Sequence, residues 1–127
     1  MSVVLDAGGV RRLAERSTRS LAVLDALGRH GLLPLVVPSV VLVECLSGDP
    51  AEDAAVEQLL AGCRVVEHIS AQRARRAAWL RTAAAGRGTT ADALVVALAE
   101  PGGAVLTNRR PLEALALYAR DVFVERV

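Results

Sequence analysis

A chain of 127 residues with 53% hydrophobic but only 2% aromatic side chains suits one domain, its core built from Val, Leu and Ala rather than from stacked rings. All fifteen basic residues are Arg, so chemistry that needs an amine, such as a P-loop lysine or a Schiff base, is excluded. The net charge of +1 gives no whole-molecule attraction to nucleic acid, and any such binding must use a local patch. The arginines at 73, 75, 76, 81 and 87 are clustered; they can grip RNA phosphates, and a solvated helix face explains them as well. Trp79, Tyr118 and Phe123 are the only aromatics, which argues against a base-stacking platform. Cys45 and Cys63 have neither ligand spacing nor a disulfide pattern and read as small core residues. The start lacks a basic leader, and no uncharged apolar run reaches the ~20 residues of a membrane span, so a cytoplasmic protein is expected.

The first strand is Val3-Val4-Leu5, which runs into Asp6 and a flexible Ala7-Gly8-Gly9. A short helix is expected from Gly9 to Glu15 and a second from Ser17 or Thr18 to about His30, with Gly31 as its exit. Leu33 to Val37 forms the second strand, ended by Pro38, and Ser39 caps an apolar helix to Leu46 in which Glu44 is the only charge. A lone carboxylate in such a helix is costly unless paired, hydrated or coordinated, so Glu44 should face a cleft. Asp49-Pro50 opens an acidic helix to about Leu60 whose charges read as a solvated face. Arg64 to His68 is the third strand, and Ser70 caps an Ala- and Arg-rich helix to Ala85. Next comes a helix capped by Thr89 or Thr90 and stopped by Pro101-Gly102-Gly103. It is apolar nearly all round except for Asp92 in its first turn, which complements the helix dipole or opens a site. Ala104 to Thr107 is the fourth strand, Asn108-Arg109-Arg110 a turn, Pro111 to about Tyr118 a helix, and Val122 to Val124 the fifth strand.

Strands alternating with helices predict an α/β fold, a parallel sheet with helices on both faces and a single domain over residues 1–127. Ligands of such sheets bind at the carboxyl ends of the strands, where Asp6 and the Thr107-Asn108-Arg109 turn lie and where Glu44 and Asp92 can reach. Three solitary carboxylates at Asp6, Glu44 and Asp92 repel one another when gathered, by ~4 kcal/mol per pair at ~4 Å and an effective dielectric of ~20. A divalent cation resolves that repulsion. Oxygen donors without His or Cys favour Mg²⁺ or Mn²⁺, ions suited to phosphodiester hydrolysis by an activated water.

Four segments, in this order and at this spacing, resemble the PIN domain of VapC-like toxin ribonucleases: Val-Val-Leu-Asp6-Ala-Gly, Val-Pro38-Ser-Val-Val-Leu-Val-Glu44, Asp92-Ala-Leu-Val-Val-Ala and Ala-Val-Leu-Thr107. The resemblance covers nearly the whole chain. It implies a five-stranded sheet of order 3-2-1-4-5, and Asp6, Glu44 and Asp92 as catalytic metal ligands for Mg²⁺ or Mn²⁺. It also implies an RNA substrate, a homodimer and a cognate antitoxin. The family's pattern after the fourth strand is Thr-x-Asp, whereas this chain has Thr107-Asn108-Arg109. An inward Arg109 would make the site two charge units less negative than a four-acid one and weaken metal binding; Asn108 or Glu113 would be the substitute ligands. Two functions therefore compete, a metal-dependent endoribonuclease and a weak or inactive PIN scaffold that binds RNA or a protein partner. A receiver-like phosphoacceptor is excluded by the absence of Lys.

Overall fold

The computed structural model describes residues 1–127. Val3–Leu5 forms β1, whose three side chains are all buried, as a strand covered on both faces requires. Then follow α1 (Ala7–Ala14), α2 (Thr18–Arg29), β2 (Val36–Pro38), α3 (Ser39–Cys45), α4 (Pro50–Leu60) and β3 (Arg64–Val66). The second half holds α5 (Ala71–Ala83), α6 (Thr90–Ala99), β4 (Ala104–Thr107), α7 (Pro111–Ala116) and β5 (Phe123–Arg126). The strands make one parallel sheet of order β3-β2-β1-β4-β5, as expected. β1, β2 and β4 are buried along their length, and the outer strands β3 and β5 are partly open.

From β1 the chain winds outward to β2 and β3, then crosses to β4 and β5, so with right-handed crossovers the two halves place their helices on opposite faces. Accordingly α1 packs with α2, α3 and α4, while α6 packs with α5 and α7 and lies across β1, β2 and β4. The core is aliphatic: Leu5, Leu13, Leu35, Leu80, Leu112 and Leu115 are its largest fully buried side chains. No helix is long and apolar enough to cross a membrane.

Local chemistry moves several boundaries. α1 begins at Ala7 rather than Gly9 because the Asp6 carboxylate caps it, accepting from the Gly9 N–H at 2.7 Å. Pro38 ends β2 and stands at the N-cap of α3, so Ser39 is already helical and makes no capping bond. Asp53 does not sit on a solvated face. It is buried and accepts from Ser47 N–H and Oγ and from Gly48 N–H at 2.8–3.0 Å, bonds that hold its carboxyl below the usual range, the Ser47 backbone bond most of all. The two glycines after Asp6 serve close approach rather than flexibility. A Cβ on Gly9 would collide with the Leu106 carbonyl oxygen, and one on Gly8 with the Asn108 side chain, so α1 can start against the end of β4 only without side chains there. Gly9→Ala should therefore destabilise the fold by about 2–3 kcal/mol, read as a lowered midpoint with unchanged slope in urea unfolding. A change below ~0.5 kcal/mol would show that α1 is free to shift.

Candidate functional site

The site follows from strand register. Leu5 pairs with Leu106, so the next residues, Asp6 and Thr107, leave the ends of β1 and β4 side by side. The Thr107 hydroxyl donates to Asp6 Oδ2 at 2.6 Å, and Gly9 N–H holds Oδ1 at 2.7 Å. Both bonds are buried, and they leave the Asp6 carboxylate one orientation. This is also where the winding of the sheet reverses, the place where open α/β sheets form a crevice.

Asp92 arrives from the other side on the first turn of α6. Thr89 Oγ1 accepts the Asp92 N–H at 3.1 Å, and Asp92 Oδ2 accepts the Thr89 N–H at 2.9 Å, a reciprocal capping box. Gly88, at φ +80°, brings the chain past Leu115 and Asp92. Asp92 thus closes the helix end while its carboxylate faces the crevice beside Asp6.

Arg109 bridges the two acids. Its backbone N–H donates to Thr107 Oγ1 at 3.0 Å, which fixes the turn after β4. Its side chain points inward, with Nη2 2.5 Å from Asp92 Oδ2 and Nε 3.9 Å from Asp6 Oδ2. The two carboxylate side chains are 2% exposed and the Arg109 side chain 32%, so Arg109 closes the crevice from the solvent side. Its buried Nε is left without a hydrogen-bond partner. Burial pushes the Asp6 carboxyl above its ordinary value; Thr107, Gly9 and Arg109 pull it back, and Asp92 adds to the rise.

The remaining candidates lie outside this bridge. Glu44, on α3, is half-buried; its backbone carbonyl accepts from the Arg11 guanidinium, and its carboxylate forms no ion pair. Glu113 pairs with Arg126 at 3.0 Å, and Asn108 is exposed beside Gly8. Cys45 donates to the Val41 carbonyl, and burial pushes its thiol up to about 11, which makes it inert. From the sequence Thr107 reads as a hydroxyl that orients a water or ligand or bonds at the strand end; the structure makes it the link between Asp6 and the Arg109 backbone.

The model of the PIN domain family matches residues 3–116. The chain belongs to the PIN domain family. Among solved structures, a chain of the VapBC2 assembly from Rickettsia felis, bound to a DNA fragment from their promoter, is similar with a TM-score of 0.74 at 15% identity. That likeness covers 100% of this chain and 99% of the other. The protein PAE2754 from Pyrobaculum aerophilum is similar with a TM-score of 0.60 at 17% identity, covering 98% and 90%. No curated protein matches the chain. These likenesses extend the shared fold over the full length of the sequence.

PIN domains are generally divalent-metal-dependent nucleases, and the crevice of this one does not fit a divalent ion as it stands. No three His, Cys, Asp or Glu side chains gather closely enough to hold one. Asp6 Oδ2 accepts from Thr107 and Asp92 Oδ2 from Arg109, whose charge lies between the acids. A cation entering here would have to displace a guanidinium covalently tethered to the fold. The ion pair predicts a pH-dependent stability. In Arg109→Gln both acids stay buried without a countercharge, at a cost of about 2 kcal/mol near pH 7, discounted from the ~3–5 kcal/mol of a fully buried pair because the Arg109 side chain is 32% exposed. Asp6 already has a raised folded-state value, so the stability it contributes is present at low pH and lost as pH rises. The deficit of Arg109→Gln should accordingly shrink as pH falls from 7 toward about 5, followed by urea unfolding. A deficit that is constant over this range would remove the charge explanation.

Proposed function

We propose that this chain is a VapC-like PIN protein of the toxin–antitoxin type in which Arg109 has replaced the cation of the nuclease centre. It acts as a scaffold that binds RNA and a cognate antitoxin protein, with at most weak Mg²⁺- or Mn²⁺-dependent RNA cleavage. The observation that carries this reading is the 2.5 Å contact of Arg109 Nη2 with Asp92, together with Nε at 3.9 Å from Asp6. A guanidinium offsets one of the two carboxylate charges without offering the exchangeable water that a metal supplies to hydrolysis. Asp6 and Asp92 are the residues that would ligate Mg²⁺ or Mn²⁺ if the guanidinium were removed, and Glu44 of α3 would join them only after a shift of its side chain toward the crevice. A cytoplasmic setting accords with this role.

A protein partner is supported by the likeness to a VapBC2 chain and by apolar side chains left in solvent, Val43 and Leu117 at 82% and Phe123 at 61% exposed. A homodimer would cover part of the same surface, and sedimentation of the isolated chain distinguishes a dimer from a monomer that awaits its antitoxin.

The central substitution is Arg109→Asp, which restores the acid of the family pattern. Wild type should bind Mg²⁺ or Mn²⁺ weakly in calorimetry and leave a mixed RNA pool largely intact. Arg109→Asp should bind either ion at least tenfold more tightly, about 1.4 kcal/mol, and cleave the pool faster. Tight metal binding and brisk cleavage by wild type, unaltered or reduced by Arg109→Asp, would instead establish an ordinary metal-dependent endoribonuclease.

A further inference from the structure

α6 has its amino end in the acidic crevice and its carboxyl end on the opposite edge of the sheet. From Asp92 to Glu100 is eight residues, roughly 12 Å of helix. At that far end lies a cavity of about 350 Å³ walled by Arg73 and Arg76 of α5, Arg120 and Glu100, with one hydrophobic residue in its lining. A second cavity, of about 420 Å³, shares Ser70, Arg73 and Glu100 with the first and continues over β3 past Arg64 and His68. The two form a trough along the edge of the sheet.

The trough is basic after its internal pairing is complete. Glu100 is its only acid, and both of its oxygens are occupied: Arg76 donates to Oε1 at 2.8 Å and to Oε2 at 2.7 Å, and the Arg120 backbone N–H donates to Oε2 at 2.6 Å. Arg64, Arg73 and Arg120 enter none of the six ion pairs of the molecule. One Arg73 nitrogen reaches the Ala97 carbonyl at 3.3 Å, which turns that side chain into the trough rather than out along α5. The amino end of the thirteen-residue α5, capped by Ser70, opens on the same space and adds its partial positive charge. Trp79, 53% exposed, stacks under Arg76 at 4.6 Å and holds that guanidinium flat. In a chain of net charge +1, three unpaired guanidinium groups along one trough are a local concentration of charge.

We propose that this trough, on the edge of the sheet opposite the acidic crevice, binds the phosphodiester backbone of a nucleic-acid strand through Arg64, Arg73 and Arg120. Successive phosphates match an elongated row of guanidinium groups, each able to take two phosphate oxygens. The scarcity of aromatics makes the binding electrostatic and indifferent to base identity. Arg75 and Arg87 of the same arginine cluster are exposed outside the trough and serve as a charge-matched control.

The test uses the full chain, a fluorescein-labelled 2′-O-methyl oligonucleotide that resists cleavage, and EDTA, so that binding is read apart from metal and catalysis. Anisotropy titrations should show Arg73→Ala/Arg120→Ala about tenfold weaker than wild type. Its slope of log affinity against log salt should be shallower by about 1.4, two contacts at about 0.7 each for a single strand. Arg75→Ala/Arg87→Ala should leave both quantities unchanged, and Arg73→Lys/Arg120→Lys should recover most of the affinity, which separates lost charge from lost folding. Equal losses in the two alanine pairs, or no binding by wild type, would overturn the proposal. So would displacement of the strand by equimolar inorganic phosphate, which marks a small-anion site, or by an acidic peptide at equal charge, which marks a protein partner. The failure of this trough would leave the Arg109 reading standing, since the metal titration of Arg109→Asp does not depend on it.

Discussion

Two carboxylates with only 2% of their side chains exposed at the meeting point of a sheet and a helix are costly to bury without a countercharge, and here it is the Arg109 guanidinium. Much of the surrounding structure maintains that arrangement. The β1–β4 register sets Asp6 beside Thr107, the Thr107 hydroxyl links Asp6 to the Arg109 backbone, and the capping box of α6 aims Asp92 back at the same guanidinium. Gly8 and Gly9 let α1 begin close enough to β4 for the Asp6 carboxylate to cap it. Each acid therefore has a structural duty, which keeps it in place whether or not the crevice performs chemistry.

A tethered cation differs from an exchangeable one in what it permits. A bound Mg²⁺ or Mn²⁺ keeps open positions for water and substrate and carries two charges. Arg109 carries one, always, and presents donors in a plane already directed at Asp92. The crevice thereby has most of its repulsion relieved without outside help, and the proposed scaffold role rests on that. Charge is distributed unevenly: the acidic edge of the sheet is partly compensated from within by Arg109, while the opposite edge retains unpaired arginines.

Much of this was legible in the sequence because it rests on local pattern. Val3-Val4-Leu5 before Asp6, the uncharged run after Asp92 and Ala104 to Thr107 are too apolar to lie anywhere but inside, and their alternation with helices fixes a parallel sheet. The departure at Arg109 was visible as a residue type in an unexpected place; its inward direction was not, because that depends on its meeting Asp92 and Asp6, which lie far from it in sequence. The reading of Ala7-Gly8-Gly9 as flexible failed for the same reason: the demand for glycine comes from Leu106 and Asn108, a hundred residues away. Asp53 was misjudged as solvated because its partners, Ser47 and Gly48, lie in the preceding loop, whose path a helical pattern does not reveal. The arginine cluster was ambiguous until α5 was folded against α6, which sorted Arg73 and Arg76 into the trough and left Arg75 and Arg87 in solvent.

The account turns on where the positive charge in the crevice comes from, and a crystal of the wild-type protein grown in millimolar Mn²⁺ reads it directly through anomalous scattering. The expected map has no Mn²⁺ peak between Asp6 and Asp92, and Arg109 remains in contact with Asp92. A well-occupied Mn²⁺ bound to both carboxylates, with the Arg109 side chain swung into solvent, would contradict it.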